Sequence, residues 1–199
     1  MTGKMRRMKK NNKGLSLVEL IVVIAIMAVL VGMLALSLSI LTGAQAKQAA
    51  EKISSQLNEA KTGSMSRYQQ TLTLKYETKN ELAGFPSDGF YAEKSYLDMK
   101  KDLTTKEVGK ESRRVGSKQV QITIYYTNAS GTQSYDLTTT GGDVIISYDR
   151  TSGALKPITN AASSLGSDAV LQSITCKSGL KTYEIEFTPQ TGKHIMKTL

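Results

Sequence analysis

Hydrophobic positions follow three successive patterns along this 199-residue chain. From Leu20 to Leu41 the run is apolar except for Gly32, Ser37 and Ser39; these twenty-two residues reach about 33 Å as a helix, enough to cross a bilayer core. After Gly43 the apolar residues narrow to one stripe. Ala46, Ala49 or Ala50, Ile53, Leu57 and Ala60 recur every three or four positions, with Lys47, Glu51, Lys52, Glu59 and Lys61 between them. From about residue 70 the period drops to two in "TLTLKY", "VQITIYY", "VIISYD", "AVLQSIT" and "TYEIEF". Turn signals separate these segments at Asn128 to Gly131, Gly141 to Asp143, Thr151 to Gly153 and Pro189 to Gly192.

The patterns predict an α+β chain, with one long helix from about Leu17 to about Arg67 and then an antiparallel β-sheet laid across the end of that helix. The stripe is short and rich in alanine, which favours packing within the chain over a coiled-coil partner. Three prolines and no long linker after Leu72 predict one compact domain. Lys94 to Lys118, the most charged stretch, reads as a solvated insertion between strands. From Lys100 it mixes seven bases with Asp102, Glu107 and Glu111 and has no aromatic residue to stack on a base. A DNA- or surface-binding patch is the functional alternative, because clustered bases attract phosphates.

Charge changes the picture mainly at the start. Lys4, Arg6, Arg7, Lys9, Lys10 and Lys13 supply six of the nine net positive charges before Gly14, with no acid among them. Bases beside an apolar run hold that end in the cytoplasm and direct the long C-terminal part outside. A secretory signal peptide fits poorly, since its apolar region is about 7–15 residues long and ends at a small-residue cleavage site. Between Lys13 and Lys47 the only charged side chain is Glu19. At a bilayer centre a carboxylate costs roughly 2.5–3.5 kcal/mol, so Glu19 calls for a partner or a task.

The stretch "KGLSLVELIVVIAI" resembles the N-terminal signature of type IV prepilins, the family of pilins and of the pseudopilins of type II secretion and DNA-uptake systems. The resemblance implies a pilin-like fold, a long helix with a membrane-spanning first half packed on an antiparallel sheet. It implies processing between Gly14 and Leu15 by a prepilin peptidase, methylation of the new Leu15 amine, and Glu19 as the fifth mature residue, pairing with the amine of a neighbouring subunit during assembly. Leu15 stands where the family more often has phenylalanine or methionine. The implied organisation is a cleaved leader over 1–14, a transmembrane and filament-core helix over 15–43, an amphipathic continuation over 44–69 and an extracellular β-rich domain over 70–199. Implied partners are the peptidase, other pilin or pseudopilin subunits, an inner-membrane assembly platform and, before assembly, membrane lipid. The expected location is the cell membrane, with a single pass, and then an extracellular filament.

No catalytic set assembles from the remaining residues, and no cofactor or metal is expected. The single Cys176 cannot close an internal disulfide, and the single His194 would need other ligand types to converge on it to hold a metal. Both read as packing or surface residues. No Gly-rich phosphate loop, nucleophile elbow or dense Asp/Asn calcium loop is present. The leading expectation is a pilin-like filament subunit, with a minor pseudopilin of a secretion or competence machine next and a signal-anchored extracellular binding protein third.

Overall fold

A computed structural model describes residues 16–66, 69–78, 85, 87–99, 105–137, 142–160 and 165–199, with backbone alone at 34–42, 97–99 and 105–108. Helix α1 covers Leu17–Ser64. It is followed by β1 (Gln69–Glu77), β2 (Gly89–Met99), β3 (Thr105–Ser117), β4 (Gln121–Asn128), β5 (Gly131–Asp136), β6 (Asp143–Ser147), β7 (Val170–Ser178), β8 (Lys181–Thr188) and β9 (Lys193–Thr198). Two compact units divide the chain, Met1–Leu38 and Ser39–Leu199.

In the first unit, α1 is apolar on every side. All residues from Leu17 to Met33 are exposed, including thirteen large apolar side chains. Such a segment forms a helix because helical hydrogen bonds satisfy the backbone internally wherever water is absent. Among the described residues no helix is long and apolar enough to cross a membrane. The described side chains of the apolar run stop at Met33, whereas the run itself continues in the sequence to Leu41.

In the second unit the same helix turns one stripe inward. Ala46, Ala49, Ala50, Ile53, Leu57, Ala60 and Ser64 are buried, the spacing of one helical face. That face shares a core with residues of both sheets, among them Leu72, Leu74 and Phe90 of the first and Ile122, Ile124, Ile174 and Ile185 of the second. The helix ends where Ser64 Oγ donates to the Gln70 carbonyl at 2.9 Å and accepts from the Gln70 amide at 3.2 Å. The Gln70 side-chain amide lies over Gly63, about 2 Å from where a Cβ would stand.

Two antiparallel sheets replace the single sheet expected from the sequence. The first has the order β3-β2-β1-β6 and the second β5-β4-β7-β8-β9. The predicted strands and the terminal hairpin are present, with β8 and β9 paired from Tyr183–Thr198 to Thr188–Lys193. A further correction concerns the charged stretch. Instead of a solvated insertion, it forms the second half of β2 and the whole of β3, which pair from Gly89–Ser117 to Met99–Thr105 across two bulges, while residues 100–104 lie outside the described residues. β3 is an edge strand, and charge on an edge discourages pairing with other chains, which explains a strand with no apolar alternation. The short, polar β5 is likewise not legible from periodicity.

Candidate processing and assembly site

Gly14 and Leu15, the residues expected to flank the processed bond, lie outside the described residues. Glu19 occupies the first turn of α1 and is exposed. The Glu19 amide donates to Ser16 Oγ at 3.2 Å, and the Ser16 amide donates to Glu19 Oε2 at 3.3 Å. The Ser16 carbonyl accepts the first helical bond, from the Leu20 amide at 3.1 Å. This is a capping box: Ser16 is the N-cap, Glu19 the third helical residue, and each satisfies an amide that the helix leaves without a partner. The carboxylate also faces the positive end of the helix dipole. Ser16 is a functional residue beyond those the resemblance implies, and "SLVE" ahead of an apolar run is the sequence signature of this box.

Both partners lie on the C-terminal side of the Gly14–Leu15 bond, so the box does not depend on the leader. Only Oε2 takes part in it. Residues 9–35 match the family model described as the prokaryotic N-terminal methylation motif. The chain carries the type IV prepilin-type cleavage and methylation signal. This signal implies processing by a prepilin peptidase. No curated protein and no solved structure matches the chain.

Outside the signal, the residues weighed for chemistry are engaged elsewhere. Cys176 is fully buried on β7, and burial pushes its thiol up to about 12. His194 on β9 has its Nε2 3.0 Å from Ser54 Oγ of α1, and its ring lies 5.5 Å from that of Phe187. Among the described residues no three His, Cys, Asp or Glu side chains converge on a possible metal. The bases of β3 are largely engaged as well. Lys110 Nζ is 3.6 Å from a Glu93 carboxylate, Arg113 bonds Glu111 at 2.6 Å, and Arg114 donates to the Asp88 carbonyl at 2.9 Å.

One cation from this stretch has moved into the core. Lys94 is only 3% exposed, on the face of β2 that also buries Phe90 and Ala92. Its ammonium reaches Glu59 of α1 at 2.5 Å and Glu111 of β3 at 3.3 Å, so it ties the helix to two strands. Burial alone lowers its pKa, but the hydrogen bond to Glu59 and the two carboxylates outweigh burial and hold it above the ordinary lysine value. Glu111 is held below the carboxylate range, first by its bond from Arg113 and then by Lys94.

Proposed function

We propose that this chain is a type IV pilin-like filament subunit that works by assembly, not by catalysis. Prepilin peptidase cuts between Gly14 and Leu15, and the leader over 1–14 is lost. Residues 15–43 rest in the membrane until the subunit is extracted, and then pack against neighbouring helices as the filament core. Residues 44–69 continue the helix into the extracellular β-rich domain over 70–199. The observation that carries this reading is the prepilin-type signal placed directly on a helix whose every side chain from Leu17 to Met33 is exposed and apolar, apart from Ser16 before it and Glu19 within it. A helix apolar on all sides has to be covered, by lipid or by other helices.

Glu19 marks the register of assembly. After cleavage the Leu15 amine is a cation at the edge of an apolar medium, and pairing it with a carboxylate of the next subunit is far better than leaving either charge alone. The capping bond holds Oε2 toward Ser16 and keeps the carboxylate at the start of the helix, the level at which an incoming amine would meet it.

Intact-mass and N-terminal peptide mass spectrometry on protein from membrane and sheared surface fractions tests the proposal. The expected chain begins at Leu15 with one added methyl group. Retention of Met1 to Gly14 in cells competent for processing would leave a signal-anchored binding protein as the better reading. Glu19→Ala should then leave cleavage intact and block or slow incorporation into filaments, whereas an anchored binder would be unaffected.

A further inference from the structure

The turns of the second unit nearest Gly43 carry a cluster of lysines around an unpartnered leucine. Gly43 begins the described side chains two residues after the apolar run ends at Leu41. The Lys181 side chain lies directly on it, with Cγ 2.8 Å from where a Cβ would stand. Lys181 closes the two-residue β7–β8 turn, Gly179-Leu180, in which Gly179 takes the left-handed backbone and Leu180 is 89% exposed. No large apolar side chain among the described residues is more exposed.

Neighbouring turns are tied to this one. Ser178 Oγ donates to the Gln119 carbonyl at 3.3 Å, which joins the β3–β4 turn and its exposed Lys118. Ser117 Oγ is 3.3 Å from Gln45 of α1, two residues beyond Gly43 and near the exposed Lys47. The Leu199 amide donates to the Thr182 carbonyl at 3.0 Å while Leu199 lines a groove with Tyr125 and Glu184 along the sheet, and Lys177 faces solvent at the end of β7. Acids are present as well: Glu51 is 3.8 Å from Lys47, Asp88 lines a cleft with Arg114 and Lys118, and Asp136 accepts from Gln121 at 2.6 Å.

We infer that this tip, Lys47, Lys118, Lys177 and Lys181 around Leu180, docks on an anionic lipid surface while the subunit waits in the membrane. The inference rests on the membrane-anchored stage of the proposed function. Three features select lipid as the occupant. The covalent chain puts the tip within two residues of the apolar run, so a bilayer holding that run lies within reach of it. Lysines beside a bilayer are attracted by anionic headgroups, and a leucine among them can enter the acyl boundary, where a nucleic acid would engage the lysines and leave the leucine in water. A turn of this kind gains nothing from a leucine in the fold itself, since the side chain is left almost wholly in solvent there.

The chain contains no tryptophan, so Leu180→Trp in the full-length protein is a clean reporter. Thr132→Trp, exposed in the β4–β5 hairpin at the other end of the same sheet, serves as its control. Both proteins are reconstituted in vesicles of phosphatidylcholine alone or with phosphatidylglycerol, with brominated lipid as quencher, and flotation reports anchoring. Expected for Leu180→Trp is blue-shifted emission quenched by brominated lipid only in the anionic vesicles and reversed by salt, with the emission of Thr132→Trp unaffected. Replacing Lys118, Lys177 and Lys181 by glutamine should lower the docked-to-undocked ratio about fivefold per lysine removed. Flotation with Leu180→Trp no more quenched than Thr132→Trp, or quenched equally in both vesicles, overturns the docking and leaves the anchor standing. A blue shift without lipid quenching means another protein copy covers position 180, and also overturns it. Failure to float with either vesicle removes the anchor and the docking together.

Discussion

One helix in this protein meets two environments. Between Leu17 and Met33 its large apolar side chains are exposed on every side, whereas between Ala46 and Ser64 a single stripe is buried and the flanks carry Lys47, Glu51, Lys52, Glu59 and Lys61. The second stretch finds its cover within its own chain, and polar residues on its outer side need none. The first has no such cover among the described residues, and under the proposed function lipid or neighbouring helices supply it. On the proposed function the two stretches therefore differ in what a substitution should disturb: folding in the second, membrane residence and assembly in the first.

The largest effect should come from testing that contrast directly. Leu57→Ala removes a fully buried side chain and should cost about 2–5 kcal/mol in urea unfolding of the full-length protein. Ile24→Ala, 58% exposed before truncation at Ile24, should leave that unfolding within about 0.5 kcal/mol. If both substitutions shift unfolding alike, the two stretches are not energetically distinct.

Next in size is the cation between helix and sheet. Lys94→Met leaves Glu59 and Glu111 sharing only the exposed Arg113, and we expect a loss of about 1–3 kcal/mol, moderated by that guanidinium and because both carboxylates are partly exposed. Adding Glu59→Leu should recover part of it, and a double-mutant cycle measures the coupling. A coupling near zero would mean that Lys94 and Glu59 do not act together.

At the other end of the helix, Ser16→Ala breaks the capping box and should cost about 1 kcal/mol of helix stability, read as fraying of the first turn by amide exchange in detergent. Ser16→Thr should retain protection, and unchanged exchange in both variants would deny the box any weight.

The smallest effect is a pH dependence confined to the second unit. Burial, aided by Lys61 and opposed by the bond to Ser54, holds the His194 imidazole below its ordinary value of 6.5. Protonation then favours the unfolded chain, so stability should be complete above about 6.5 and should decline as pH falls below it. His194→Gln should flatten the melting temperature across that window; a decline that persists in the variant would point to other groups.

How much was legible beforehand follows the range of the interactions. The amphipathic stripe of α1, the β8–β9 hairpin and the signal around Glu19 are written in residues a few positions apart, and periodicity or spacing reveals them. β3 is different. "TKEVGKESRRVGS" has almost no apolar residue to alternate, and it becomes a strand because β2 offers a ladder of backbone partners. In the sequence Lys94 is one more base of a charged stretch, and only the approach of Glu59 and Glu111 from distant elements allows it to be buried.

The sequence by itself determined the processing signal, the helix with its two kinds of surface, and the alternating strands, because each depends on local chemistry and a repeating period. The tertiary structure alone decided that the strands split into two sheets, that a charged segment forms an edge, and that the lysine-rich turns meet beside Gly43. Those outcomes depend on which distant backbones pair and which charges lose their water together, and neither is encoded in any single stretch of the chain.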